Sequence, residues 1–131
     1  MMTRSNPAGL HATPGYHHVT VVEPGVTVHL AGQCPLDAAG ELVGAGDYVM
    51  QAEQVANNIV TALASVGSGP DRVIRATIYV ATSERADLVS VWRALCGSQA
   101  AAAFTGAATL LGVAVLGFDG QLVEVDITAA L

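Results

Sequence analysis

The sequence predicts an α+β subunit, with elements in the order ββαβαββ and two helices packed on one face of a mixed sheet. Three observations carry this. Apolar residues recur at helical spacing through Asp47 to Val66, and a second stripe follows Ser83-Glu84. Between and after them, Arg72 to Val80 and Leu122 to Ala129 alternate with the two-residue period of strands.

The elements follow in order. Residues 1–15 hold two prolines, two glycines and small polar residues without periodicity, and read as an arm or loop. Residues 16–131 read as one domain. His17 to Val22 and Val26 to Ala31 are β-branched and alternating around Glu23-Pro24-Gly25, which predicts a hairpin closed off by Cys34-Pro35. Ala52, Val55, Ala56, Ile59, Val60, Leu63 and Ala64 form the first helical stripe, opposite Gln51, Glu53, Gln54, Asn57 and Asn58, and Gly67-Ser68-Gly69-Pro70 stops it. In the next strand Ile74, Ala76, Ile78 and Val80 share one face and Arg75, Thr77 and Tyr79 the other. Ser83-Glu84 caps a helix with the stripe Leu88, Val91, Trp92, Leu95 and Cys96. Thr109 to Leu116 and Leu122 to Ala129 read as the last strands, joined around Phe118-Asp119-Gly120. Both helices then cover one sheet face and leave the other half apolar, to meet copies of itself.

Composition excludes several kinds of chemistry. The five cations are all arginine (Arg4, Arg72, Arg75, Arg85 and Arg93) and the formal net charge is −6. Nucleic acid, bound mainly through cationic neutralisation of phosphates, is disfavoured. Without lysine there is neither a Schiff-base nucleophile nor a Walker-type loop. Cys34 and Cys96 form no CxxC pair and no signal sequence opens the chain, which suits a reducing cytoplasm. Ala100 to Phe118 is uncharged and long enough to span a bilayer, but Gly106, Gly112 and Gly117 interrupt it and Asp119-Gly120 ends it, so no membrane partner is expected.

The run Ala31-Gly32-Gln33-Cys34-Pro35-Leu36-Asp37 after the predicted hairpin, with Gly15-Tyr16 before it and Leu122-Val123-Glu124-Val125 near the end, resembles the Rid family of reactive-intermediate deaminases, also called YjgF-like or endoribonuclease L-PSP-like. The resemblance implies a chorismate-mutase-like subunit in a homotrimer, the sheets forming a central barrel and three clefts lying between subunits. It also implies hydrolysis of enamines and imines without metal or cofactor. By position, the cleft tyrosine falls on Tyr16, the backbone-donating glycine on Gly32 and the water-holding glutamate on Glu124. The arginine that grips a substrate carboxylate falls on Thr109, and no Arg or Lys follows Arg93. A threonine replaces neither the charge nor the bidentate geometry, so standard 2-iminopropionate deamination is not expected.

Read as residues, these positions leave alternatives open. Glu124, sharing a strand face with Leu122 and Asp126, suits a base that positions water, or a cross-sheet salt bridge to Arg75. Tyr16 suits a cleft or a packing role with a wet tip. Gly32 suits N–H donation or a tight turn. His18 is a cleft candidate beside Tyr16, and could face His29. Adjacent histidines point to opposite strand faces, so no metal site is expected. Cys34, with no evident base, reads as inert. The expected protein is a Rid-like homotrimer whose clefts take an uncharged or weakly charged small metabolite. Glu124 is its catalyst, with Tyr16, His18, Gly32 and Thr109 binding substrate. A non-catalytic binding or sequestering protein is the alternative from another class, and a ribonuclease or translation inhibitor a third.

Overall fold

A computed structural model describes all of residues 1–131. The strands are β1 (Met2–Ser5), β2 (Val19–Val22), β3 (Thr27–His29), β4 (Val73–Ala81), β5 (Ala107–Val113) and β6 (Val123–Ala130). The helices are α1 (Tyr48–Ala64) and α2 (Arg85–Cys96). From β2 onward the order is ββαβαββ, as expected. One sheet runs β3-β6-β4-β5, with β4 and β5 parallel and the other pairs antiparallel, so it is mixed.

Two local expectations are corrected. The N-terminal segment is not wholly an arm: β1 pairs antiparallel with β2. Arg4 Nη2 anchors this ribbon by donating to the carbonyls of Asp71 (3.1 Å) and Val73 (3.0 Å). Next, β2 and β3 form no hairpin with each other, because β2 is taken by β1 and β3 by β6. As expected, the last two strands are joined around Phe118-Asp119-Gly120, by a turn closed by the Gln121 N–H on the Phe118 carbonyl (3.0 Å), and both pair with β4, which lies between them. The uncharged stretch from Ala100 forms a short 3₁₀ turn and β5, and no helix is long and apolar enough to cross a membrane.

Helix α1 begins where the Asp47 side chain accepts the Met50 N–H (3.0 Å), satisfying one of the free donors of the first turn. It ends at Gly67, whose φ of 77° closes a turn in which the Ser68 N–H reaches the Leu63 carbonyl. At α2 the N-cap position is Glu84, within the expected pair, but its side chain makes no capping bond. Thr82, not Ser83 or Glu84, accepts the Glu84 N–H (2.9 Å), and its hydroxyl donates to Asp87 (2.6 Å).

The core lies between the helices and one sheet face. Ala76, Ile78 and Val80 of β4 and Val123, Val125, Ile127 and Ala129 of β6 meet Val55, Ile59 and Leu63 of α1, Val91 and Leu95 of α2, and Phe104. Gln51 is fully buried among them, its amide donating to the carbonyls of Gly44 (3.1 Å) and Gly120 (3.0 Å) while its oxygen accepts the Leu122 N–H (2.7 Å). The opposite face is open. Cross-strand pairs place Thr128 beside Arg75, Asp126 beside Thr77 and Glu124 beside Tyr79, and the parallel ladder sets Thr109 beside Thr77 and Leu111 beside Tyr79. This face is polar along β4 and β6, and its expected apolar half is confined to β5.

Candidate functional site

Alternation along β6 sends Val123, Val125 and Ile127 into the core and therefore Glu124 and Asp126 to the open face, both half-buried. Against them lies the loop after β3. Gln33 exchanges backbone hydrogen bonds with Val125 (2.8 and 3.1 Å), and Asn58 of α1 donates to the carbonyls of Cys34 and Leu36, each at 2.9 Å. The loop is thus held between β6 and α1, with Gly32 directly over the two carboxylates. A Cβ at residue 32 would lie 2.6 Å from Glu124 Oε2 and 3.1 Å from Asp126 Oδ1. Gly32 does not have a positive φ, so close approach, and not a tight turn, is what requires glycine here. Its N–H makes no hydrogen bond within the chain.

The two oxygens of Glu124 differ. Oε1 accepts from the Cys34 thiol and from Gln121 Nε2, both at 3.2 Å, while Oε2 faces Gly32 with no donor on it. Burial, followed by the hydrogen bond to Glu124 and its negative charge, pushes the Cys34 thiol up to about 11. The thiol therefore stays protonated near neutrality and serves as a donor, in keeping with its reading as inert towards electrophiles. Beside it the Tyr79 hydroxyl donates to Asp126 Oδ2 (3.2 Å), and the Asp126 charge raises the tyrosine's pKa by disfavouring the phenolate.

Thr109 stands on the same face and accepts a 2.6 Å hydrogen bond from Arg75 Nη2. The salt bridge between Arg75 and Glu124 weighed from the sequence is not formed, since the one ion pair in the chain joins the Met1 ammonium to Glu23.

Tyr16 and His18 lie elsewhere. The Tyr16 hydroxyl meets His11 Nε2 (2.9 Å), and the His18 ring packs edge-on against both His11 (4.6 Å) and Tyr16 (5.6 Å). Trp92 closes the cluster 6.3 Å from Tyr16. Tyr16 and Trp92 line a cavity of about 740 Å³ with Cys96, Ala108 and Leu110. Ala108 and Leu110 alternate with Thr109, so this cavity lies across β5 from Thr109. His29, next to Thr27 and Thr128 on the other sheet edge, does not face His18.

Of the residues singled out from the sequence, then, Gly32 and Glu124 are in contact, Thr109 shares their face, and Tyr16 and His18 form a second group. Sequence reasoning missed Gln121 and the thiol as partners of Glu124, and Arg75 as a partner of Thr109. The i, i+2 spacing of Glu124 and Asp126 was the signal available for the paired carboxylates.

The endoribonuclease L-PSP family model matches residues 8–131. A solved structure from Yersinia pestis, YyfB, described as a protein of unknown function of the conserved Rid family, shares 30% identity with a TM-score of 0.89, over 99% of this chain and 98% of that one. An Entamoeba histolytica structure of the endoribonuclease L-PSP type shares 25% identity, with a TM-score of 0.70 and complete coverage of both chains. Protein DfrA of Myxococcus xanthus is 38% identical over 65 residues, and the match spans half of each protein.

Proposed function

The chain belongs to the endoribonuclease L-PSP family, the family of the Rid and YjgF proteins, and on that premise we propose that it is a hydrolase of imine or enamine bonds in a small metabolite. The observation that carries this reading is Glu124: a carboxylate fixed at one oxygen by two donors, its other oxygen beside a glycine whose N–H is unused. Oε2 accepts a proton from a water as that water attacks the carbon of a C=N bond. The electron pair moves to nitrogen, which takes up a proton from solvent. The resulting carbinolamine expels its amine, the proton held by Glu124 passing to the leaving nitrogen and the hydroxyl proton to solvent, and a carbonyl compound remains. An enamine enters the same sequence after protonation at carbon. The Gly32 N–H positions a polar atom of the ligand, and no metal or cofactor takes part.

The working unit in this proposal is a cytoplasmic homotrimer with clefts between subunits. Tyr16 and Thr109 lie on opposite sides of β5, so for Tyr16, with His18 beside it, to line the cleft that holds Glu124 it must come from another copy. Both cysteines are free, which suits a reducing compartment. A binding or sequestering role is the second reading, favoured by threonine standing where the resemblance expects an arginine. A ribonuclease is opposed by the two carboxylates on the open face and the net charge of −6.

Neutral imines generated in the cuvette by a flavin amine oxidase test the proposal, with the acidic imines from an amino-acid oxidase run beside them for comparison. The protein is expected to accelerate their hydrolysis above the buffer rate, and light scattering should give three times the 13.3 kDa subunit mass. Hydrolysis at the buffer rate for neutral and acidic imines alike removes the hydrolase and leaves the binding protein.

A further inference from the structure

Glu124 and Asp126 are tied in the same way, each by one oxygen. Glu124 Oε1 accepts from the Cys34 thiol and Gln121, and Asp126 Oδ2 accepts from the Tyr79 hydroxyl at 3.2 Å. The register makes this last bond a diagonal one: Tyr79 pairs across the strands with Glu124 and Asp126 with Thr77, so the phenol passes its direct neighbour to reach Asp126. The other two oxygens, Glu124 Oε2 and Asp126 Oδ1, receive no hydrogen bond from the chain. Both converge on Gly32, at 2.6 and 3.1 Å from where its Cβ would stand, and so lie within about 6 Å of each other. One nitrogen or one water can hydrogen-bond to both across that span.

No cation of the chain answers either carboxylate by an ion pair. Arg75, on the same face, makes one hydrogen bond, to Thr109. Arg4 and Arg72 bond carbonyls near the start of β4 and the end of the chain, and Arg85 and Arg93 belong to α2, where Arg93 lines the cavity beside Tyr16. Glu124 Oε2 has its part in the proposed hydrolysis, whereas Asp126 Oδ1 has none. We propose that Asp126, oriented by Tyr79, is a second catalytic residue of this site, its free oxygen holding the nitrogen of the C=N bond as an iminium cation, so that the preferred substrates are imines without a carboxylate. The catalytic part rests on the hydrolase reading; the preference for a planar nitrogen cation rests on the geometry of the two carboxylates.

A carboxylate alongside favours the charged form of the nitrogen, so the proton drawn from solvent is taken up before water attacks. The water oxygen then bonds to the iminium carbon and its proton goes to Glu124 Oε2. The C=N electron pair withdraws onto nitrogen, so the cation and the Glu124 charge disappear together. When Glu124 passes its proton on, nitrogen is again a cation beside Asp126, now as the leaving ammonium. Tyr79 is the positioning residue. The Asp126 charge raises its pKa, so the phenol stays a donor and holds the carboxylate in place. A substrate carboxylate brought beside Glu124 and Asp126 meets like charge instead.

Acetamidinium, acetamide and acetate share one planar shape and are cationic, neutral and anionic in turn, so their binding, followed by NMR titration, tests this without any turnover. Acetamidinium should bind most tightly and acetate least. Asp126→Asn, which keeps an acceptor for Tyr79, should weaken acetamidinium on the order of tenfold or more, the measure of one charge-assisted hydrogen bond, and leave acetamide unchanged. Asp126→Glu keeps the charge and should keep part of the preference. Tyr79→Phe frees Asp126 to turn and should reduce the preference by a smaller factor than Asp126→Asn, with melting curves showing each variant folded. The three probes are compared first on the unaltered protein, where the proposal can already fail. Equal affinity for acetamidinium and acetamide there, or undiminished acetamidinium binding by a folded Asp126→Asn protein, overturns it. So does tighter binding of acetate that Arg93→Gln abolishes. A protein that prefers acetamidinium through Asp126 but hydrolyses no imine keeps the cation contact and loses the hydrolase. One that hydrolyses imines without preferring acetamidinium does the reverse.

Discussion

The carboxylate of Glu124 occupies the space in which a side chain at Gly32 would begin, 2.6 Å from the position of its Cβ. The atom in the way is the far end of a flexible side chain, so Gly32→Ala displaces the carboxylate more readily than the backbone. We predict that this variant melts within a few degrees of the parent while imine hydrolysis falls on the order of 10-fold or more, because small misplacements of a catalytic group are costly. A parent-like rate would place the reaction away from Glu124 Oε2.

Glu124→Gln keeps the shape and removes the basicity. With no ion pair to Arg75 to lose, the variant is expected to melt close to the parent, and turnover should drop by roughly 10² to 10⁴, the usual contribution of a general base. Melting and initial rate measured on one preparation decide it: unchanged turnover leaves the site without a base.

Cys34 gives a pH prediction with a definite sign. Its thiol pKa is raised from 9.0 to about 11 in the folded protein, so the folded chain holds that proton more tightly than the unfolded chain does. The associated stability is complete below the unfolded value and is lost as pH rises through the folded one, between about 9 and about 11. In a Cys96→Ser background, alkylation of Cys34 by iodoacetamide should be slow at about pH 9.5, and Glu124→Gln should quicken it by removing the hydrogen bond and charge that add to burial. Identical rates in the two proteins would exclude the Cys34–Glu124 contact.

Gln51 should matter more for stability than any residue of the open face. Gln51→Leu leaves the carbonyls of Gly44 and Gly120 and the N–H of Leu122 without their buried partner, and is expected to cost about 3 kcal/mol in urea denaturation. A loss below about 1 kcal/mol would mean that water replaces the amide.

What was legible in the sequence was what local periodicity encodes. The stripe from Ala52 to Leu63 and the alternation from Arg75 to Val80 became α1 and β4, because each buries one face against a single neighbour. Strand β1 was hidden since Thr3-Arg4-Ser5 carries no apolar pattern, and its pairing with β2 depends on Arg4 reaching carbonyls nearly seventy residues away. The β2–β3 hairpin was misread for a related reason: Glu23-Pro24-Gly25 is a plausible turn, but the partner of each strand is a non-local choice. At the site, Glu124 and Gly32 were found from a motif. Their contact with Cys34 and Gln121, and the reach of Arg75 to Thr109, required the register of β6 against β4 and of β4 against β5, which no single segment contains.

The parallel pairing of β4 and β5 has a consequence for how such chains are sorted. Side chains on neighbouring strands of one face converge, so a long residue on β4 and a residue at the facing position of β5 can deliver a functional group to the same place. The charge at that place belongs to a point in the sheet and can be handed from one strand to the next by two substitutions. A classification that reads only the position of Thr109 sees an uncharged residue there. One that also reads the register of the sheet finds Arg75 of β4 bonded to it.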